Sequence, residues 1–146
     1  MIQKIALFGV TDVGQERSHN EDNFVICQDI SSQSWGFSRN KTIPLGDLGA
    51  VLVVADGMGG TNAGEVASHL AQESVQVAFQ SLTDAPKSTK DREKFLIKCI
   101  HDAHDSIVEH QHTHLDTAGM GTTLVIGWII GRELHVAWSG DSRVYV

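Results

Sequence analysis

Residues Ala50 to Ala55 read Ala-Val-Leu-Val-Val-Ala and run without a polar side chain into Asp56-Gly57. A short, continuously apolar, β-branched run of this kind is the pattern of a strand covered on both faces. The spacing ends it at Asp56-Gly57, so the chain must build a layered core around this segment and place a carboxylate at its edge. Around it, Ile2 to Val10 reads as an earlier strand entering a glycine-containing loop, and Asn23 to Cys27 as a second strand. Ser31 to Leu48, with Gly36, Pro44 and Gly46, reads as a loop or hairpin excursion.

Beyond the glycines the period changes. Apolar residues at 63, 66, 67, 70, 71, 75, 78, 79 and 82 predict an amphipathic helix from Ala63 to about Leu82, with Asn62 as its cap and Glu65 in the capping-box position. Phe95, Leu96, Cys99, Ile100, Ala103, Ile107 and Val108 predict a second helix from about Asp91 to His110, packed on the first as a helical hairpin. Gly121 to Ile130 and Glu133 to Ser139 then read as strands joined by a tight turn at Gly131-Arg132, and Arg143 to Val146 as the beginning of another strand. Strands, two helices and strands in that order favour an α+β architecture over a parallel βαβ one.

The 146 residues suffice for one core, and 41% hydrophobic with 20% charged residues is a globular composition rather than a disordered one. A formal net charge of −7, without a cluster of Lys or Arg, argues against a general nucleic-acid binder. Two cysteines far apart, Cys27 and Cys99, suggest neither a disulfide framework nor a zinc knuckle, and point to a reducing compartment. The N-terminus lacks the features of a signal peptide, and Leu124 to Ile130, the longest apolar stretch, is too short to span a membrane. The expectation is a soluble, cytoplasmic protein.

Three segments set carboxylates and glycines beside candidate strand ends. In Asp12 to Asp22, Glu21 and Asp22 offer hard oxygen ligands and Arg17 a forked donor suited to phosphate; a solvated loop with surface ion pairs is the plain alternative. In Val53 to Glu65, Asp56 followed by glycines lets a main-chain carbonyl join a coordination shell, and makes Asp56 the strongest single ligand candidate. The rival there is an anion cradle at the helix N-terminus, but no Gly-Lys-Ser/Thr follows and the glycine spacing does not fit a dinucleotide fingerprint. In the third segment Asp141 sits in a glycine-flanked turn after a strand.

In order, Asp12-Val-Gly, Arg17-x-x-Asn20-Glu21-Asp22, Val54-Ala55-Asp56-Gly57-Met58-Gly59-Gly60 with Gly64-Glu65, Gly121-Thr122-Thr123 and Gly140-Asp141-Ser142-Arg143 resemble the signature motifs of the PPM/PP2C metal-dependent protein phosphatases of bacterial type. The resemblance covers nearly the whole chain. It implies a sandwich of two antiparallel sheets flanked by helical pairs, of which residues 1–146 are the N-terminal portion. It also implies hydrolysis of phosphoserine and phosphothreonine at a binuclear Mg²⁺ or Mn²⁺ centre, with a metal-bridging hydroxide as nucleophile. In that scheme Asp56 bridges the ions, the Gly57 carbonyl ligates one, Glu21 and Asp22 hold them partly through water, Arg17 grips the substrate phosphate, and Asp141 helps bind a third, weaker ion. The implied partners are phosphorylated proteins, in opposition to a serine/threonine kinase.

Two departures stand out. Met58 replaces the histidine that animal-type members carry after Asp-Gly, so leaving-group protonation falls to another group. The later Asp-Gly and Asp-Asn motifs are not within these 146 residues, so the chain as given is expected to be incomplete and poorly active. A catalytically silent fragment that binds phosphorylated proteins is the alternative. Of the eight histidines, His101 and His104 lie on the second helix and His110, His112 and His114 alternate in what reads as the following loop. Zn²⁺ or Ni²⁺ binding is conceivable there, and a solvated helix end is the expected reading.

Overall fold

The structure, a computed structural model, describes residues 3–36, 41–60 and 62–146. Its elements are β1 (Lys4–Ile5), β2 (Asp22–Asp29), β3 (Ser34–Trp35), β4 (Ile43–Pro44), β5 (Ala50–Met58), α1 (Ala63–Gln80), α2 (Thr89–Thr113), β6 (Gly121–Thr122), β7 (Leu124–Ile130) and β8 (Glu133–Ser139). One antiparallel sheet runs β3-β2-β5-β7-β8, with β6 paired to the far end of β5; β1 and β4 form a separate two-stranded ribbon. This is the expected α+β class. Within the described residues there is one main sheet and one helical pair, where the resemblance implied two sheets and flanking pairs.

The helices cover a single face of the sheet. Val51, Val53 and Ala55 on β5 and Ile126 and Trp128 on β7 are 0–1% exposed and pack against Ala67, Ala71, Val75 and Phe79 of α1 and Leu96, Cys99 and Ala103 of α2. Phe79 meets Trp128 edge-on at 5.3 Å and Phe95 at 5.0 Å, the offset geometry in which ring quadrupoles attract. The Trp128 indole N–H, otherwise an unpaired buried donor, donates to the Leu48 carbonyl at 2.8 Å. Burial pushes the thiols of Cys27 and Cys99 up to about 11 and about 12, so both are held as unreactive thiols inside this layer.

Several sequence expectations are corrected here. β5 is not covered on both faces: its alternate residues Val54 and Met58 are 47% and 56% exposed, because both helices lie on the other side. Nor does it stop at Asp56-Gly57, since β6 pairs with Gly57 and Met58 and carries the strand two residues further. The strand expected over residues 2–10 shrinks to β1, whose partner β4 offers only two residues and one of them a proline without an N–H; Ile2 lies outside the described residues. In the excursion between residues 31 and 48 two short strands form, and residues 37–40 lie outside the described residues. Arg143 to Val146 forms no strand, and Tyr145 is 88% exposed.

The helix termini also differ. Asn62 makes no side-chain cap; at φ −17° and ψ −3° it is far from the extended conformation that aims a cap oxygen back at the first turn. The side-chain cap belongs to α2 instead: Ser88 Oγ accepts from the Asp91 N–H at 3.1 Å and donates to the Asp91 carboxylate at 2.7 Å. α2 extends through Thr113, so His110 and His112 stand in its last turn rather than in a loop.

Candidate active site

Antiparallel register brings the first two motifs together. β2 and β5 pair with Asp22 directly opposite Asp56, so their side chains emerge on the same face, the one without helices. The Asp56 carboxyl is raised above the usual carboxylate range, first by desolvation, then by the charge of Asp22 and a hydrogen bond shared with it, and then by the charge of Asp141; Arg17 opposes the shift. Asp22, Asp56, Asp141 and Arg17 are therefore within electrostatic reach of one point at the end of β5. Arg17 is exposed and makes no ion pair or hydrogen bond among the described residues. Its guanidinium fork is left for another anion.

The Asp56 backbone is fixed from the third motif. Its N–H donates to Thr123 Oγ1 at 3.0 Å and its carbonyl accepts from the Thr123 N–H at 2.9 Å. Thr123 Oγ1 in turn shares a 2.6 Å hydrogen bond with Ser142 Oγ, tying the turn that carries Asp141 to the strand that carries Asp56. On the other side, Asn20 Oδ1 accepts from the Asp22 N–H at 3.0 Å while its amide donates to Thr11 Oγ1 at 2.8 Å, closing the loop that carries Arg17. Thr123, Ser142 and Asn20 hold the site in shape; each stands within a motif, but nothing in the local residue pattern signals this role.

Glu21 is placed differently from its neighbour. Its carbonyl accepts from Gly57 N–H at 3.2 Å and from Ser68 Oγ at 2.7 Å, and its carboxylate lies where a Cβ on Gly64 would stand. It thus sits against the first turn of α1, where the helix dipole favours a negative charge. That position also weakens the anion-cradle reading, because a carboxylate already lies there. Gly57 is buried, and a Cβ on it would collide with the Gly64 carbonyl, so only glycine allows β5 and α1 to approach this closely.

Another side-chain clamp ties α2 to this end of the sheet. The Gln111 amide donates to the Met120 carbonyl at 3.0 Å and its oxygen accepts from the Gly119 N–H at 3.1 Å, just before β6.

Among the described residues, no three His, Cys, Asp or Glu side chains stand in a geometry that would hold a metal ion. What the chain provides is a facing pair of carboxylates with a third acid nearby; the Asp56 carboxyl is raised first by desolvation and then by the neighbouring acids, and a cation between them would oppose the second of these causes. Carboxylate and carbonyl oxygens suit a hard divalent ion such as Mg²⁺ or Mn²⁺, which keeps several waters and needs few protein ligands. The donor set fits such an ion in kind and supplies part of its shell.

Fold and site together define an antiparallel α+β protein with an acidic centre at the open end of its central strand. The family model described as "Protein phosphatase 2C" matches residues 17–146, and the chain belongs to that family. It is 36% identical over 136 residues to the "Serine/threonine phosphatase stp" of Listeria monocytogenes serotype 4b (strain F2365), covering 93% of this chain and 47% of that protein. It is 32% identical over 140 residues to the "Protein phosphatase PhpP" of Streptococcus pneumoniae serotype 2 (strain D39), covering 92% and 47%. Among solved structures it resembles the S. agalactiae serine/threonine phosphatase, with a TM-score of 0.71 at 25% identity over 98% of this chain and 50% of that one. It also resembles the catalytic domain of the serine/threonine protein phosphatase PstP in complex with 2 manganese ions, with a TM-score of 0.67 at 25% identity over 97% and 49%. The chain spans about half the length of the curated relatives it matches. No helix among the described residues is long and apolar enough to cross a membrane.

Proposed function

We propose that residues 1–146 are the N-terminal portion of a cytoplasmic protein serine/threonine phosphatase domain that removes phosphate from phosphoserine and phosphothreonine, acting against a serine/threonine kinase. The observation that carries this reading is the convergence of Asp22, Asp56, Asp141 and Arg17 at the end of β5, supported by phosphatase relatives that share the fold. Asp56 and Asp22, with the Gly57 carbonyl, would hold two Mg²⁺ or Mn²⁺ ions. Glu21 would support them through water, and Asp141 would contribute to a third, weaker position. Such ions, when bound, supply acidified water and charge neutralisation for in-line displacement at phosphorus.

The chain's own residues have separate tasks. Arg17, unpaired and beside the acidic group, binds the phosphate oxygens in bidentate fashion and sets the substrate's orientation. Thr123 and Ser142 hold the Asp56 main chain so that its carboxylate stays aimed, and Met58, unable to donate a proton, leaves the departing hydroxyl to be protonated from elsewhere. The partial donor set favours a second reading, a catalytically silent relative that binds phosphoproteins through Arg17.

The test uses the full-length parent protein. It should hydrolyse p-nitrophenyl phosphate and phosphothreonine peptides only with Mn²⁺ or Mg²⁺, and Asp56→Asn should lose at least about a hundredfold at limiting metal, the scale of removing one preorganised electrostatic contact. Undiminished turnover in that variant would sink the proposal, and phosphopeptide binding without turnover in the wild type would favour the silent reading. Arg17→Ala should raise KM for phosphopeptides more than it lowers kcat, because it removes a contact present in ground and transition states alike. Wild-type KM with impaired metal binding would show that Arg17 orders the Glu21-Asp22 loop instead.

A further inference from the structure

Ser68 stands in an otherwise small and apolar row of α1. With Gly64, Ala67, Ala71 and Val75 it forms the buried side of the helix, and it is 0% exposed. Alanine is the better helix former and needs no polar partner in a core, so the hydroxyl has to be explained by what it touches. A helical serine ordinarily turns its proton back on its own helix. Here the carbonyl of Glu65 lies at 3.1 Å, while the carbonyl of Glu21, at the entrance to β2, lies at 2.7 Å. One hydroxyl has one proton, and the shorter contact takes it.

The Glu21 carbonyl belongs to the peptide unit whose N–H is that of Asp22. That N–H donates to Asn20 Oδ1 at 3.0 Å, and the carbonyl also accepts from the Gly57 N–H at 3.2 Å. The Gly57 N–H in turn belongs to the peptide unit whose carbonyl, that of Asp56, accepts from the Thr123 N–H at 2.9 Å. The peptide planes that carry Asp22 and Asp56 are thus joined at one oxygen, and Ser68 reaches that oxygen from α1. Both lone pairs of the carbonyl are taken. The helix is held close, because Gly64, one turn before Ser68, leaves no room for a Cβ beside Gly57 and the Glu21 carboxylate.

From this geometry we propose that Ser68 is a positioning residue of the acidic centre, an inference that rests on the metal-dependent phosphatase reading of that centre. Its hydroxyl fixes the Glu21-Asp22 peptide plane against Gly57, and so sets how the Asp22 carboxylate and the Gly57 carbonyl are presented to a divalent cation. Groups of this kind aim ligands without touching the ion, and losing one weakens metal binding by about ten- to a hundredfold. Ser68→Ala keeps the helix and leaves the Glu21 carbonyl one donor short beside a buried methyl, free to turn.

The test is a Mn²⁺ titration of the metal-free full-length parent, with free Mn²⁺ read by electron paramagnetic resonance. Ser68→Ala should weaken Mn²⁺ binding about tenfold or more, while KM for a phosphothreonine peptide at saturating Mn²⁺ stays at the wild-type value, because Arg17 is untouched. Val75→Ala, at a 0%-exposed core position on the same helix, should lower the urea midpoint at least as far and leave Mn²⁺ affinity unchanged. Equal losses of affinity in the two variants, or none in Ser68→Ala, would overturn the proposal, while Mn²⁺ binding by the wild type would leave the phosphatase reading standing. A wild-type parent that binds no Mn²⁺ would overturn both. A measurement on the Mg²⁺-loaded wild type needs no variant: the Ser68 hydroxyl proton should exchange slowly with water and show a nuclear Overhauser contact to the Gly57 N–H, since both donors point at one oxygen. A hydroxyl proton in fast exchange would overturn the proposal even where Ser68→Ala fails to fold.

Discussion

The two faces of the one sheet are built from the same strands and do opposite work. Toward the helices, Val51, Val53, Ala55, Ile126 and Trp128 are 0–1% exposed and closed over by aromatic and alanine-rich helix surfaces. Away from them, Leu52, Val54 and Asp56 on β5 and Trp138 on β8 face outward, with Val54 at 47% and Trp138 at 65% exposure. The helix side stabilises the fold, and the open side displays charge. Because strand residues alternate, the chain needs no extra segment to have both: successive residues of β5 serve the core and the site in turn.

This contrast predicts a steep difference between two tryptophans. Trp128→Ala should cost about 3–5 kcal/mol in a urea melt, for it empties a packed position and orphans the Leu48 carbonyl. Trp138→Ala should cost less than about 1 kcal/mol, since its ring is largely in water. Comparable losses would mean that the open face is more closely packed than its exposure indicates. Next in size, Gly57→Ala should destabilise by about 1–3 kcal/mol, because the new methyl meets the Gly64 backbone, which cannot turn aside. Wild-type stability in that variant would show that β5 and α1 can separate without penalty.

The smallest effect has the opposite sign. The folded state raises the Asp56 carboxyl, so in metal-free protein its contribution to stability is complete below the ordinary aspartate range and is lost as pH rises through the raised value. Asp56→Asn removes that loss. In chelator at neutral pH the variant should melt slightly higher than the wild type, by less than about 1 kcal/mol for an exposed, screened group, and the gap should close on acidification. A variant less stable than the wild type at neutral pH would show that the carboxylate is structurally required on the open face.

Sequence patterning foretold the elements whose cause is local. The 3.6-residue stripes of α1 and α2, the β7-β8 hairpin with Gly131 at a positive φ of 57°, and the apolar run of β5 all appear near their expected places. The misses had distant causes. β1 fell short because its partner β4 is two residues long, and β5 overran Asp56 because β6, more than sixty residues downstream, pairs with Gly57 and Met58. The ligand candidates were legible as motifs. That Asp22 shares a face with Asp56 while Glu21 turns to α1, and that Thr123 and Ser142 hold the Asp56 backbone, depends on tertiary pairing with no local signature.

The pairing of Asp22 with Asp56 also sets how this domain can change through evolution. A single-residue insertion or deletion between Asp22 and Cys27, or between Val51 and Asp56, would shift one strand against the other by one step and send one carboxylate to the helix side. Substitutions along these strands can accumulate singly, but length cannot drift there without dismantling the acidic centre. Room for changes in length lies instead in exposed connections such as the one between Thr83 and Lys87, which are distant in sequence from every residue assigned to the centre.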